Sequence, residues 1–259
     1  MDAARGLTQD AVERSKRSVT QVKGRMRWAL VPLLAGGLLA ACGGPAAKSA
    51  PKGPQPVSQA NPARSSAPQV TAHYCTPSGV KAACWGKATF QSVATNMAGA
   101  MPSGFSASFA AVWDAKDLFL LEKVKNPKGI ASTLDPTAPW TTDAMEAYLS
   151  GSNSSGTTMG THEVQFVVPA AQPASIWHTS GRTVSGVLAT VAKTGSGYDT
   201  LLTVPWTVLG TSAGTGQRIG VNVAADAYSG KGQNQLLAWG IHGSNEQAPA
   251  GWGQLTLAK

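Results

Sequence analysis

Hydrophobic and polar residues alternate in short segments through most of the chain after residue 100. Alternation with a period of two predicts β-strands that turn one row of side chains toward a core. The predicted strands are nine segments, covering residues 105–113, 118–124, 144–149, 163–168, 185–192, 198–204, 218–225, 235–240 and 254–258. Since no helical segment is long enough for a crossover between parallel strands, the pattern predicts an all-β fold, an antiparallel β-sandwich or jelly roll.

Turn residues between these segments indicate how neighbouring strands connect. Residues 114–117 and residues 193–197 each separate two alternating segments, which is typical of β-hairpins. Pro205 precedes four residues with a helical pattern, and Gly210 follows them, so a single helical turn is expected there. Two pairs of neighbouring strands are therefore expected to be joined by tight turns.

The first 41 residues have the organisation of an export signal. Three basic residues between positions 23 and 27 precede an apolar run that ends at Ala41. This run is shorter than the roughly 20 residues of a membrane-spanning helix. The sequence Leu39-Ala40-Ala41-Cys42 resembles the bacterial lipobox, which implies cleavage before Cys42 and its lipidation. An ordinary cleaved signal is the alternative, and Met26 is an alternative start.

The export signal also predicts where the protein resides. Lipidation at Cys42 followed by Gly43 implies the outer membrane of a two-membrane bacterium, or the outer face of the cell membrane in a one-membrane bacterium. Residues 43–72 contain six prolines, no aromatic residue and no acidic residue, a composition that disfavours a packed core. We therefore expect a signal peptide over 1–41, a lipidated and disordered linker over 42–72, and a folded domain over 73–259.

Charge is concentrated in the N-terminal part of the chain. The net charge of the whole sequence is +8, and residues 1–72 contribute all but one of these charges. The predicted domain is nearly neutral, which argues against a nucleic-acid-binding face, because such a face needs clustered Lys and Arg. Cys75 and Cys84 form an even pair in an exported domain, so a disulfide is expected, with two free thiols as the alternative.

The sequence contains no arrangement typical of an enzyme or a metal site. Asp143 and Glu146 are three residues apart, so on a strand they face opposite sides and cannot act as an acid and base on one bond. None of the four histidines lies in a metal-binding spacing, and no nucleophile elbow is present. We therefore expect a non-enzymatic protein without a metal or cofactor.

Aromatic motifs in a fixed order resemble those of family 9 carbohydrate-binding modules, β-sandwiches related to DOMON domains. The motifs are Val112-Trp113-Asp114 with the following residues to Leu121, Pro139-Trp140 to Leu149, Gln165-Phe166, Val204-Pro205-Trp206, Arg218 to Val223, and Gly251-Trp252 to Leu257. The resemblance implies core positions for Trp85, Trp113, Trp206 and Trp239, and a structural role for Trp252.

The resemblance also implies a sugar-binding site. Trp140 would stack on a pyranose, Glu146 would accept hydrogen bonds from its hydroxyls, and Gln165 would contribute a mixed donor and acceptor. Tyr148 or Trp177 would close the site. A pyranose suits such residues because its ring faces are apolar and its edge carries hydroxyls that need partners once desolvated.

The chain departs from the sugar-binding members of the family at three places. Val167 stands where they carry an arginine, Pro169 stands near their asparagine, and residues 243–250 lack their second tryptophan. An envelope protein that contacts another protein and has lost the sugar site is therefore an alternative. A second alternative is haem binding by a DOMON-type domain, with Met97, Met101, Met145 or Met159 and His162 as candidate ligands.

Overall fold

The computed structural model describes residues 67–76, 82–131, 138–171, 176–180, 183–228, 230, 234–240 and 247–259. These residues form one hydrogen-bonded sheet of 13 strands. In chain order the strands are β1 (Gln69–Tyr74), β2 (Gln91–Val93), β3 (Thr95–Ala98), β4 (Ser106–Trp113), β5 (Asp117–Lys125), β6 (Ala144–Ser150), β7 (Glu163–Pro169), β8 (Trp177–Ser180), β9 (Leu188–Thr194), β10 (Gly197–Pro205), β11 (Arg218–Tyr228), β12 (Asn234–Trp239) and β13 (Gly253–Ala258).

The sheet curls on itself and forms two layers around one core. Its main path runs β8-β7-β6-β11-β13-β1-β4-β5-β10-β9, with β12 beside β11 and β2 beside β4. Side chains from both halves of this path, such as Phe166 of β7 and Leu120 of β5, meet in a single hydrophobic cluster. The all-β prediction and its nine strands are confirmed, and the sheet adds β1, β2, β3 and β8.

Strand β1 corrects two expectations. Residues 69–72, which the composition placed in the linker, lie in β1, and Val70 and Ala72 are buried in the core. The sheet is mixed and not purely antiparallel, because β1 pairs in parallel with both β13 and β4. No tight turn links β1 to either neighbour, so the antiparallel constraint that a hairpin imposes does not apply.

The hairpins and the helical turn are present at the predicted places. The Asp114 side chain accepts hydrogen bonds from the backbone N–H groups of Lys116 and Asp117, at 2.7 and 2.8 Å, and so orders the β4–β5 turn. A short helix, Trp206–Leu209, ends at Gly210, which has a left-handed φ of 64°.

Two indole groups bond to backbone carbonyls of neighbouring segments. Trp113 donates from its Nε1 to the Ala258 carbonyl at 2.9 Å, and Trp206 donates from its Nε1 to the Asp114 carbonyl at 2.9 Å. Trp239 and Trp252 are also buried, as the family resemblance implied. Trp85 departs from that expectation, since it is half-buried and packs beside the cysteines.

The two cysteines of the domain form the predicted disulfide. Cys75 and Cys84 are bonded, with their Cα atoms 5.7 Å apart. Cys75 packs with Val112 and Phe119 in a small cluster outside the main core. The bridge therefore holds Cys84 beside Cys75, on the outer side of β4 and β5.

The predicted signal peptide (1–41), the lipidation site Cys42 and the first part of the predicted linker lie outside the described residues. Within the part of the chain that the structure describes, no helix has the length and apolar character needed to span a membrane.

Candidate functional site

The register of the sheet places the predicted sugar-binding residues on one face. Glu146 of β6 is paired with Val167 of β7, and Val167 is paired with Trp177 of β8. Tyr148 is paired with Gln165 in the next row. Because directly paired residues point to the same side of a sheet, all five side chains lie on the side opposite the main core. We call this side the β6–β7–β11 face.

Trp140 reaches this face from a short 3-10 helix, Pro139–Thr141. Pro139 begins the turn, and Thr141 closes it by donating its hydroxyl to the Ala138 carbonyl at 2.7 Å. The Trp140 ring packs against the Trp177 ring in a T-shaped contact, with centroids 5.1 Å apart and an interplanar angle of 69°. Both indoles are half-buried, so neither is sealed in the core.

Asp143 holds the chain between this turn and β6. Its carboxylate accepts hydrogen bonds from the Ala131 N–H at 2.6 Å, the Tyr228 N–H at 3.0 Å and the Asn126 amide at 3.1 Å. Burial raises the pKa of Asp143, and these three hydrogen bonds oppose that rise. Asp143 therefore orders the approach to its strand and so positions Trp140.

The polar residues of the face are bonded to one another. Gln165 donates from its Nε2 to Glu146 Oε2 and to the Tyr148 hydroxyl, each at 3.1 Å, and the Tyr148 hydroxyl donates to Glu146. Glu146, Tyr148 and Gln165 are only 3%, 1% and 5% exposed. Tyr148 therefore lies beneath the surface, packed against the Trp252 ring with centroids 5.8 Å apart.

The departures from the family pattern lie beside this polar group. Val167 is fully buried between Glu146 and Trp177 in the same row, so it supplies no charge to the carboxylate. Pro169 ends β7 opposite Ala144. The loop at 241–246, where the second tryptophan of the family would be expected, lies outside the described residues.

Two further polar residues, both on β11, also belong to this face, and neither was among the predicted site residues. Asn222 is paired with Tyr148, and Asp226 follows it on the same side of the strand. Both are fully buried, and the side-chain oxygen and nitrogen atoms of Asn222 have no hydrogen-bond partner among the described residues. Alternation in β11 was the available signal, because Val221, Val223 and Ala225 form the core side.

Asp226 is the most perturbed acid of the face. Burial raises its pKa well above the ordinary value, and the neighbouring charge of Glu146 raises it further. An acid in this environment holds its proton to a higher pH than a solvated carboxyl does. The face thus combines two half-buried indoles with a buried group of donors and acceptors, an arrangement suited to recognising a polyhydroxylated ring.

The candidate haem ligands do not converge. Met145 and Met101 belong to the main core, Met97 and Met159 pack beside Tyr148 and Trp252, and His162 is exposed. Among the described residues, no group of three or more His, Cys, Asp or Glu side chains is arranged to hold a metal ion.

Solved structures show the same fold. The family 9 carbohydrate-binding module of Caldicellulosiruptor kristjanssonii in complex with cellotriose superposes with a TM-score of 0.61 at 14% identity, over 74% of this chain and 94% of that one. The same module in complex with glucose gives a TM-score of 0.61 at 14% identity, over 74% and 97%. A protein from Bacteroides uniformis gives 0.54 at 16% identity, over 74% and 99%.

No curated protein shows a significant sequence match to this chain. Residues 78–259 match the sequence profile of the family described as Carbohydrate family 9 binding domain-like. This match covers more than half of the chain. The chain therefore belongs to the carbohydrate family 9 binding domain-like family.

Proposed function

We propose that this domain is a non-catalytic carbohydrate-binding module whose ligand docks on the β6–β7–β11 face. Trp140 and Trp177 stack on the sugar, and Glu146 and Gln165 hydrogen-bond to its hydroxyls. The observation that carries the proposal is the row Glu146, Val167, Trp177, because it brings an indole pair to the border of a buried polar group. Stacked apolar faces and paired hydroxyls are the two requirements of a bound pyranose.

The internal hydrogen bonds of the polar group determine how binding proceeds. Gln165 and Tyr148 occupy the same Oε2 atom of Glu146, so a sugar hydroxyl gains a contact there only by exchanging with one of them. The net gain from an exchanged hydrogen bond is smaller than that from a vacant acceptor. Stacking on the indoles therefore provides most of the affinity, and removing an indole should cost more than removing Gln165.

Isothermal titration calorimetry with glucose and cellotriose tests this assignment, since the similar C. kristjanssonii module is in complex with these sugars. We expect Trp140→Ala to weaken binding at least about tenfold, or roughly 1.4 kcal/mol. Trp85→Ala is the matched control, because Trp85 is also half-buried but packs beside the disulfide. Saturable binding that Trp140→Ala leaves unchanged would reject the site.

A second candidate function is contact with an envelope protein by a domain that has lost sugar binding. The observation that favours it is the closed polar group, in which Val167 replaces a charged residue and Glu146 is already hydrogen-bonded within the protein. Absence of binding to any member of a glycan array, by a folded protein, would support this alternative.

We further propose that the domain is exported and anchored through a lipid on Cys42, with residues 43–66 as a tether. The basic and apolar residues before Leu39-Ala40-Ala41-Cys42 support this assignment. Labelling with an alkyne fatty acid should mark the wild-type chain and not Cys42→Ser, and membrane fractions should lose the variant. Labelling of Cys42→Ser at the wild-type level would contradict the lipid anchor.

A further inference from the structure

A polar groove lies on the outer side of the β4–β5–β10 layer, across the main core from the β6–β7–β11 face. One row of paired residues crosses it, from Ser92 and Ser108 to Lys123 and Asp199. The next row runs from Ser106 to Lys125 and Gly197, and ends at Thr194. The side chains of these rows on β4, β5 and β10 point away from the core, because the residues between the rows, Ala107, Val124 and Tyr198, are buried.

The groove is a consequence of side-chain size. Serines occupy its β2 and β4 positions, and Gly197 contributes no side chain between Lys125 and Thr194. The long lysine side chains rise beside these short ones and leave an open depression of about 440 Å³.

The lining of the groove selects for an anionic and hydroxyl-rich ligand. Lys123 and Lys125 are two residues apart on one face of β5, which places their Cα atoms about 7 Å apart. Asp199 is the only acid among the lining residues, so the lining carries a net positive charge. Lys123 also lies over the Phe90 ring, with its Nζ 4.7 Å from the centroid, which restrains the ammonium group.

Hydroxyl groups make up most of the remaining lining, from Ser92, Ser106, Ser108, Thr194 and Ser196. A hydroxyl both donates and accepts, as the hydroxyls of a sugar do. The apolar lining residues, Ala107 and Val124, are buried between the rows. An apolar ligand would therefore find little surface here, whereas a polyol with carboxylate groups would find complementary partners.

We propose that this groove is a second carbohydrate-binding site, specific for an acidic oligosaccharide whose uronic carboxylates pair with Lys123 and Lys125. Its serine and threonine hydroxyls bond to the sugar hydroxyls, and Asp199 accepts from one of them. The site is independent of the β6–β7–β11 face, because the main core separates them and no residue belongs to both.

Calorimetric titration with tetragalacturonate, and with neutral cellotetraose for comparison, tests the proposal. We expect the double variant Lys123→Ala/Lys125→Ala to weaken tetragalacturonate binding at least about tenfold, since charge-assisted bonds are the strong ones. Raising the salt concentration should also weaken it. The matched control is Lys116→Ala/Lys259→Ala, which removes two exposed lysines outside the groove and should leave the affinity within about twofold.

Three results would overturn the second site: no binding of tetragalacturonate, equal loss in both double variants, or equal affinity for polyglutamate, which carries carboxylates without sugar hydroxyls. Trp140→Ala removes an indole of the first site and no residue of the groove, so its effect on tetragalacturonate binding distinguishes this proposal from the proposed function. If cellotetraose fails to bind while tetragalacturonate still requires Lys123 and Lys125, the first site is rejected and the second stands.

Discussion

A carboxyl group in the middle of the core makes the stability of this domain depend on pH. Glu122 of β5 is paired with Phe109 of β4 and Thr200 of β10, and its side chain is fully buried. Neither of its carboxyl oxygens has a hydrogen-bond partner among the described residues, and the same holds for the Tyr198 hydroxyl and the Thr200 hydroxyl. Burial raises the pKa of Glu122 well above 4.5, and the charge of Glu146 raises it further.

The sign and size of the effect follow from proton linkage. At a pH below the ordinary pKa of an unfolded glutamate, both states hold the proton and the domain is most stable. As the pH rises above that value, the unfolded chain ionises while buried Glu122 stays protonated, so stability falls by about 1.4 kcal/mol per pH unit. The fall ends once the pH exceeds the raised pKa of the folded state.

Asp226 acts in the same direction, because burial and Glu146 raise its pKa well above 3.8. In the pH range where both acids are protonated only in the folded state, they together give a slope of about −2.7 kcal/mol per pH unit. Glu122→Gln replaces the protonated carboxyl by a neutral group of similar size. We therefore expect the slope of this variant to be smaller than that of the wild type by about 1.4 kcal/mol per pH unit.

Urea unfolding followed by tryptophan fluorescence, at a series of pH values upward from the ordinary carboxyl pKa of about 4–4.5, measures these slopes. Thr200→Val is the matched control, since it changes the residue paired with Glu122 without removing a titratable group. Equal slopes in the wild type and Glu122→Gln would refute the reasoning, because the buried carboxyl would then contribute no linked proton.

Three other perturbations follow from the packing. Gly197→Ala would place a Cβ in collision with the Val124 carbonyl oxygen, so we expect a loss of about 1–3 kcal/mol in urea unfolding. Gly195→Ala, with nothing within 4 Å, should change stability by less than about 0.5 kcal/mol. Asp143→Ala removes the acceptor of three hydrogen bonds, so we expect the free energy of unfolding to fall by about 3 kcal/mol. Cellotriose titration of this variant should show weaker binding, because the turn that carries Trp140 loosens. Reducing the disulfide between Cys75 and Cys84 should lower the unfolding free energy by about 2–3 kcal/mol, and an unchanged urea midpoint in reductant would contradict this.

Several parts of the candidate site could be read from local sequence. Alternation in β6 separates Met145, Ala147 and Leu149 from Glu146 and Tyr148, and the structure confirms that the first three lie in the core. Asn222 and Asp226 obey the same rule in β11, but a polar residue between hydrophobic ones gives no indication of which neighbours will cover it. Their complete burial comes from chain segments distant in sequence, which no local pattern encodes.

The contact between Trp140 and Trp177 could not be predicted from local sequence either. The sequence singled out both residues, yet they belong to separate segments, and only the pairing of β8 with β7 brings the rings together. The groove around Lys123 has no local sequence signal for a related reason, since its lining comes from five strands and a turn.

The amino-acid sequence alone determined that the domain is built from β-strands and where most strands and turns lie, and it predicted that the two cysteines of the domain pair. These features depend on alternation, turn residues and cysteine spacing, all of which act over a few neighbouring positions. Tertiary structure decided the parallel placement of β1, the internal bonding of Glu146 with Gln165 and Tyr148, and the isolation of Glu122. Each of these depends on which distant strands pair, because pairing sets both the neighbours of a side chain and its access to water.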